Sequence, residues 1–225
     1  IEFKGDITNY KDVFNWINKK NFTLLIHLAA KVPTKNVERN YKYSLKVNHL
    51  GTKNIVDALK LKKKKPKWVF FSSTSHVYKI QKKNIRISEN AKLTPSTKYG
   101  FTKKMAESEI LKLKKLNIKY CIGRIFSFTD HNQKRPYVIP SIINKIKSTK
   151  KKEIKLKNLN HYRDFISTSE ISKIIKKLYI KKSTGIYNIG SGQGINIKNI
   201  AKLFGKKYKK KIKFVDNDQI TYLIS

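Results

Sequence analysis

The order of its apolar segments predicts an α/β protein: a doubly wound parallel sheet with a small lobe interleaved toward the C-terminal end. Three observations carry that prediction. Short β-rich runs alternate with helical patterns, the order of a sheet covered by helices on both faces. The runs Leu24 to Leu28 and Trp68 to Ser72 are near-continuously apolar, as strands buried on both faces are. Beyond Asp130 the alternation loosens, and Pro136 and Pro140 break the chain.

Taken in order, Leu45 to Leu61 has helical periodicity and links the first two strands. A second helix is predicted from Tyr99 to Leu116, with Met105, Ile110, Leu113 and Leu116 on its apolar side, and it leads into a strand from Lys119 to Ile125. Ile139 to Ile146 reads as a helix, and Gly185 to Gly192 as a strand and turn. The domain boundary implied by this change of pattern falls between residues 130 and 131. Residues 1–130 form the sheet domain; residues 131–225 form mainly the smaller lobe, with segments that return to the sheet.

The 225 residues are 39% hydrophobic and 11% aromatic, ample for one sizeable core. No stretch approaches the roughly 18 apolar residues of a membrane span, and no signal-peptide layout opens the chain, so the reading is soluble and cytoplasmic, with no membrane partner. The chain opens on Ile1 and its one methionine is Met105, which reads as a piece of a longer protein. The single cysteine, Cys121, rules out an intrachain disulfide and reads as a small buried hydrophobe. The five histidines show no metal-ligand spacing, so no metal site is expected. Ser72, Ser73 and Ser75 lack the Gly-x-Ser-x-Gly elbow of a hydrolase.

A net charge of +38 ordinarily points to nucleic acid. Here only five of 52 basic residues are arginine, the residue whose fork and stacking plane nucleic-acid readers favour. Lysine is spread along the whole chain, in runs such as Lys62 to Lys65 and Lys209 to Lys211 that read as solvated helix ends and loops. Nucleic acid is therefore not the expected partner, and each surviving arginine becomes informative.

Tyr99 and Lys103 stand four apart in a predicted helix and so share a face. A free phenol, with a pKa of about 10, is a poor base at neutral pH. A fixed positive charge stabilises the phenolate by about 1.4 kcal/mol for each pH unit that its pKa falls, which turns tyrosine into a usable general base or acid. Alone this spacing is common. Its company is less so: Ser72, Ser73, Thr74 and Ser75 end a buried strand, at the sheet edge where doubly wound folds place ligands.

In this arrangement the chain resembles the extended short-chain dehydrogenase/reductase family, the nucleotide-sugar epimerases, dehydratases and reductases with Rossmann-like sheets. The resemblance implies a catalytic set of Thr74, Tyr99 and Lys103, with Lys103 and Tyr99 also meeting the cofactor, NAD or NADP. Further segments match in the family's order. Gly5-Asp6-Ile7 resembles the adenine-holding strand end, and His27-Leu28-Ala29-Ala30 the strand end that approaches the cofactor. Asn48 stands in a segment resembling the family's Asn-x-x-Gly-Thr helix, which implies that it meets the cofactor. Arg124-Ile125-Phe126-Ser127 resembles the strand whose end meets nicotinamide, through Phe126, and substrate, through Ser127. Tyr162-Arg163-Asp164-Phe165-Ile166 matches a motif whose arginine binds the substrate's diphosphate, and Tyr187 to Gly192 resembles a late turn of these enzymes. Thr74 and Ser75 are implied to touch the sugar.

Departures from the family pattern are equally plain. No Gly-x-x-Gly-x-x-Gly loop occurs, so the first βαβ unit, which holds the dinucleotide's pyrophosphate, is expected to be missing from residues 1–130. Ser75-His76 stands where the family's dehydratases carry Asp-Glu, which disfavours dehydration and leaves 4-epimerase or 4-ketoreductase chemistry on a nucleotide sugar. The resemblance also implies a homodimer packed through the helices near residues 45–61 and 99–116. The reading from another class is a catalytically inactive member or fragment that binds nucleotide or RNA through its basic surface.

Overall fold

The computed structural model describes residues 2–32 and 34–225. In chain order the first elements are α1 (Tyr10–Lys19), β1 (Leu24–His27), α2 (Thr34–Arg39), α3 (Tyr41–Leu45), α4 (Gly51–Leu61), β2 (Trp68–Thr74), α5 (Lys98–Leu111) and β3 (Lys119–Ile125). Then come β4 (Ser127–Thr129), α6 (Val138–Ser148), β5 (Glu153–Lys157), β6 (His161–Ser167), α7 (Thr168–Ile180) and β7 (Gly185–Ile189). The last are β8 (Gly194–Asn196), α8 (Ile197–Lys207), β9 (Lys211–Val215) and β10 (Thr221–Leu223).

The chain divides into two compact units that interleave along the sequence. One comprises Ile1–Lys79, Glu89–Ile125 and Ser172–Asn188; the other comprises Ile80–Ser88, Phe126–Ile171 and Ile189–Ser225.

The first unit is built on the sheet β1-β2-β3-β7, in which β1 pairs parallel with β2 and β2 parallel with β3. The buried face of β2 explains its apolar run: Trp68, Val69, Phe70 and Phe71 are each at most 2% exposed. Helix α1 starts where the Asn9 side chain accepts hydrogen bonds from the backbone N–H groups of Lys11 and Asp12. Its Val13 and Ile17, one turn apart, then enter a core shared with Leu25, Ile55, Leu59, Phe71, Ile110 and Ile122.

The helix predicted over 45–61 is three pieces: α3, a π-helical turn over Lys46–Leu50, and α4. The extra residue of that turn rotates the frame between the two α-helices, a change that apolar periodicity does not reveal. Likewise the helix predicted over 99–116 is α-helical to Leu111 and 3-10 from Lys112 to Leu116, closing on the left-handed Asn117. The strand predicted over 119–125 is found with those bounds. Among the described residues no helix is long and apolar enough to cross a membrane.

The second unit holds the sheet β10-β6-β4, with β8 antiparallel to β6, and a parallel pair β5-β9. Its core gathers Ile142 and Ile146 of α6, Ile154 and Leu156 of β5, and Ile197 and Ala201 of α8.

Candidate active site

The junction of β2 and α5 is set by a hydroxyl at each end. Thr74 closes β2, and its Oγ1 accepts from the His76 backbone N–H at 3.3 Å, fixing a 3-10 turn over Ser75–Val77. Thr97 caps α5, its Oγ1 accepting from the Gly100 N–H at 3.1 Å. A Cβ on Gly100 would lie 2.0 Å from the His76 carbonyl oxygen. Only glycine lets the first turn of α5 press this closely on the turn after β2. The consequence is a ring pair: His76 meets Tyr99 edge to face, centroids 5.8 Å apart at 69°, and both side chains are half-buried.

One turn further along α5, Lys103 is 2% exposed, with Nζ 4.2 Å from the centre of the Phe71 ring. Burial pushes its pKa down to about 7, against the opposing pull of Glu107. His27 of β1 stacks against the same Phe71 ring, centroids 5.2 Å apart. Burial first, and the Lys103 charge second, push His27 down to about 3, so it is neutral. Its tautomer follows from its neighbours. Thr52 Oγ1 donates to the Asn48 carbonyl at 2.7 Å, so the 2.9 Å contact with His27 requires the imidazole Nε2–H to donate to Thr52.

Asn48 lies in the π-helical turn, fully buried. Its Oδ1 accepts from the Lys31 N–H at 2.6 Å, and its Nδ2 donates to Thr102 Oγ1 at 2.9 Å and to the Lys31 carbonyl at 3.3 Å. Thr102 Oγ1 in turn donates to the Tyr99 carbonyl at 2.8 Å. A continuous chain of hydrogen bonds therefore ties the segment after β1 to the backbone of Tyr99.

Beneath Lys103 lies a buried ionic cluster that motif reading missed. Arg124 of β3 donates through Nε and Nη2 to both carboxylate oxygens of Glu107, the Nη2 bond being 2.8 Å long, and each residue is at most 3% exposed. Ser73 Oγ donates to Glu107 at 2.5 Å, and Arg124 Nη1 reaches the Tyr78 hydroxyl at 2.8 Å and the Glu89 carbonyl at 2.9 Å. The signal was present: Tyr99, Lys103 and Glu107 repeat at four-residue spacing, which places all three along one side of α5.

The other expected contacts fall as follows. Asp6 sits in an exposed turn, accepting from Thr8 N and Oγ1, and is not a strand end among the described residues. Ile7 is buried against Gly51 of α4. Leu28 is 61% exposed and, with Ala29, lines a groove of about 660 Å³ along β1 that Phe3, Trp16 and Ile26 also form. Ala30 is half-buried, and Ser75 is 2% exposed.

In the second unit Phe126 is buried, its N–H donating to the Ile189 carbonyl at 2.9 Å, and Ser127 starts β4. Arg163 of β6 donates to the Tyr162 carbonyl at 2.7 Å and to Thr221 of β10 at 3.2 Å, with burial pushing it down to about 10. The late turn is organised by Asp164, which accepts from Ser191, Gly192 and Ser225. A Cβ on Gly190 would lie 2.4 Å from its Oδ2, which accounts for glycine there. A groove of about 1330 Å³ in this unit is lined by Lys134, Arg135, Lys147, Phe165 and Tyr208 among others.

Comparison with known proteins agrees with this architecture. A Methanocaldococcus jannaschii protein provisionally named UDP-glucose 4-epimerase is 28% identical over 203 residues, 88% of this chain and 65% of its own length. The GDP-6-deoxy-D-talose 4-dehydrogenase of Aggregatibacter actinomycetemcomitans is 27% identical over 233 residues, spanning all of this chain and 77% of that protein. The chain thus spans about two-thirds to three-quarters of these relatives. The solved structure of RMD from Pseudomonas aeruginosa, complexed with NADPH, superposes with a TM-score of 0.86 at 20% identity, covering 99% of this chain and 79% of that one, and shares its Rossmann-type fold. Since the family model described as GDP-mannose 4,6 dehydratase matches residues 2–222, the chain belongs to that family, among the extended short-chain dehydrogenases/reductases.

Proposed function

We propose that the intact protein transfers hydride between NAD or NADP and a carbon of a nucleotide-bound sugar, as a 4-epimerase or 4-ketoreductase. The supporting observation is the buried Lys103 one helical turn from Tyr99, with Thr74 ending the strand that α5 packs against. The names of the relatives, an epimerase and a nucleotide-sugar dehydrogenase, point the same way.

In this reading the Tyr99 phenol takes the proton of the reacting sugar hydroxyl, or returns it to a ketone, while the Thr74 hydroxyl hydrogen-bonds the same oxygen. Lys103, in its ammonium form, favours the phenolate, and Glu107 favours that ammonium. The hydrogen-bond chain from Lys31 through Asn48 and Thr102 holds the Tyr99 backbone in place. The donor set fits the nicotinamide-ribose end of a dinucleotide: a buried ammonium and a phenol are suited to ribose hydroxyls. When bound, the nicotinamide supplies the hydride acceptor or donor. No glycine-rich loop is present for the pyrophosphate; the groove along β1, where Ile26 and Leu28 are exposed, is where a further strand, loop and helix would add.

Ser75, Ser127 and Arg163 remain the residues assigned to substrate. For Arg163 this requires a diphosphate to replace Thr221 as hydrogen-bond partner, an exchange that guanidinium geometry favours. Exposed Leu50 and Leu61 on or beside α4, with Phe101 and Leu111 on α5, support a homodimer through these helices, and the reading is of a cytoplasmic enzyme. The test is Tyr99→Phe in the intact protein: turnover should vanish while nicotinamide binding, read by fluorescence titration, persists. Retained turnover would refute the proposal.

A further inference from the structure

The sheet of the first unit has two rims, and lysines crowd one of them. Strands β1, β2 and β3 start level, with Leu24 opposite Trp68 and Trp68 opposite Lys119. The connections that lead into them, residues 18–23, 62–67 and 112–118, therefore end side by side. The turn before β7, residues 181–184, joins them: the Trp68 indole N–H donates to the Ser183 carbonyl at 2.7 Å, and the Trp68 ring meets Tyr179 edge to face. About half of the residues in these four connections are lysine, and none is Asp or Glu. At the opposite rim, where β1 and β2 end, residues 28–31 and 75–78 hold a single lysine, Lys31. Helix ends account for only part of this crowding. Lysines near a helix C-terminus cap free carbonyls and offset the macrodipole. Lys62 does so for α1, its Nζ donating to the Ile17 and Lys20 carbonyls at 2.7 and 2.8 Å, and Lys112 pairs with Glu109. The exposed lysines at 19–20, 63–65, 114–115 and 181–182 remain, and among the described residues none of them is in an ion pair. Like charges gathered this way repel one another in the folded chain unless an anion lies against them.

We propose that this rim is a docking surface for the anionic headgroups of a lipid bilayer. The chemistry favours lipid over nucleic acid. The four connections contain no arginine, and their one aromatic, Phe22, is stacked on Trp16 rather than open to a base. Strands that start level give a flat rim, which suits a plane of headgroups better than a single strand of RNA. Each lysine held near such a plane adds to the attraction. Beside them Ile180, 64% exposed in the last turn of α7, supplies an aliphatic side chain for the interface. The contact is peripheral and needs no spanning helix, and on this point the inference departs from the expectation of no membrane partner. Docked this way, Thr74 at the far end of β2 points away from the lipid. The inference stands independently of the reaction the site performs.

The experiment sediments the intact protein with phosphatidylcholine vesicles, with and without about 30% phosphatidylserine, at about 0.1 M and about 0.5 M salt. The protein should bind only the serine-containing vesicles, and high salt should release it. The combined variant Lys63→Gln, Lys64→Gln, Lys181→Gln and Lys182→Gln should lose about 100-fold or more in vesicle affinity. Lys155→Gln, Lys157→Gln, Lys211→Gln and Lys213→Gln together remove as many charges from the exposed face of β5 and β9, and should cost less than about 10-fold. Arginine at all four rim positions keeps the charge and should keep the binding. No binding of the wild type to serine-containing vesicles overturns the inference, as do equal losses in the two glutamine variants or loss in the arginine variant. Capture of polyadenylate RNA without vesicle binding overturns the choice of lipid.

Discussion

Replacing Lys103 by methionine removes a charge the fold holds at a cost, so the variant should be more stable than the wild type although inactive. Burial lowers the Lys103 pKa from 10.5 to about 7. At about 1.4 kcal/mol per pH unit, holding the ammonium inside costs the folded state on the order of 5 kcal/mol. Methionine matches the length of the stem and keeps its contact with Phe71, but forfeits a cation–π attraction of about 1–2 kcal/mol and leaves Glu107 with one fewer cation nearby. The net expectation is a gain of about 3 kcal/mol near neutral pH, the Glu107 attraction being already contained in the lowered pKa. The sign with pH is definite. Between pH 7 and 10.5 the unfolded chain binds the Lys103 proton and the folded chain does not, so wild-type stability rises through that window. Below pH 7 both states are protonated and the full penalty stays. The advantage of Lys103→Met should therefore be constant below pH 7 and shrink toward pH 10. Urea denaturation of both proteins at pH 6.5, 8 and 9.5 reads this directly. A variant less stable than the wild type at pH 6.5, or a gap that does not narrow, would refute the account of Lys103 as a desolvated charge.

His27 acts in the opposite pH range. Its folded pKa of about 3 lies below its ordinary 6.5, so the unfolded chain gains a proton as pH falls through 6.5 and stability drops toward pH 3; His27→Asn should flatten the dependence between pH 4 and 7, and an unchanged slope would count against burial as the cause. Glu107→Ala leaves the Arg124 guanidinium buried without its carboxylate, and should cost about 3–5 kcal/mol in denaturant unfolding. A loss below about 1 kcal/mol would mean that water reaches the cluster. Gly100→Ala forces a methyl against the His76 carbonyl; the expected outcome is a loss of about 1–3 kcal/mol. Turnover should fall about 100-fold because Tyr99 moves with the helix, and normal kinetics in the alanine variant would show that the contact does not set the site.

The parallel sheet was legible because β2 and β3 are short, apolar and bounded by helical patterns, and the Tyr99–Lys103 pair because four-residue spacing is written directly in the sequence. Periodicity could not show the π-helical turn at Lys46–Leu50, since one inserted residue leaves the apolar count of a 17-residue window almost unchanged. It also could not show that Asn48 is enclosed by protein on every side, because that depends on Lys31 and Thr102, which are brought together only by the fold. The boundary read at residue 130 follows the sequence pattern, which also carried the expectation of segments returning to the sheet; the two compact units interleave along the chain, and β7 lies in a sheet begun more than a hundred residues earlier.

The arginines carry the composition argument one step further. In a chain that uses lysine for nearly all its positive charge, the guanidinium groups of Arg124 and Arg163 each make several directional bonds within the fold. Arg124 needs a planar fork to meet both oxygens of Glu107 and a further N–H for Tyr78; an ammonium has neither the plane nor the reach. Its partner Glu107 stands one helical turn past Lys103, where its charge opposes the desolvation of that amine. Replacing Arg124 should thus shift the protonation of Lys103 and, in the proposed mechanism, the base strength of Tyr99. At position 124, exchanging arginine for lysine should therefore alter the buried cluster beside Lys103 rather than surface charge.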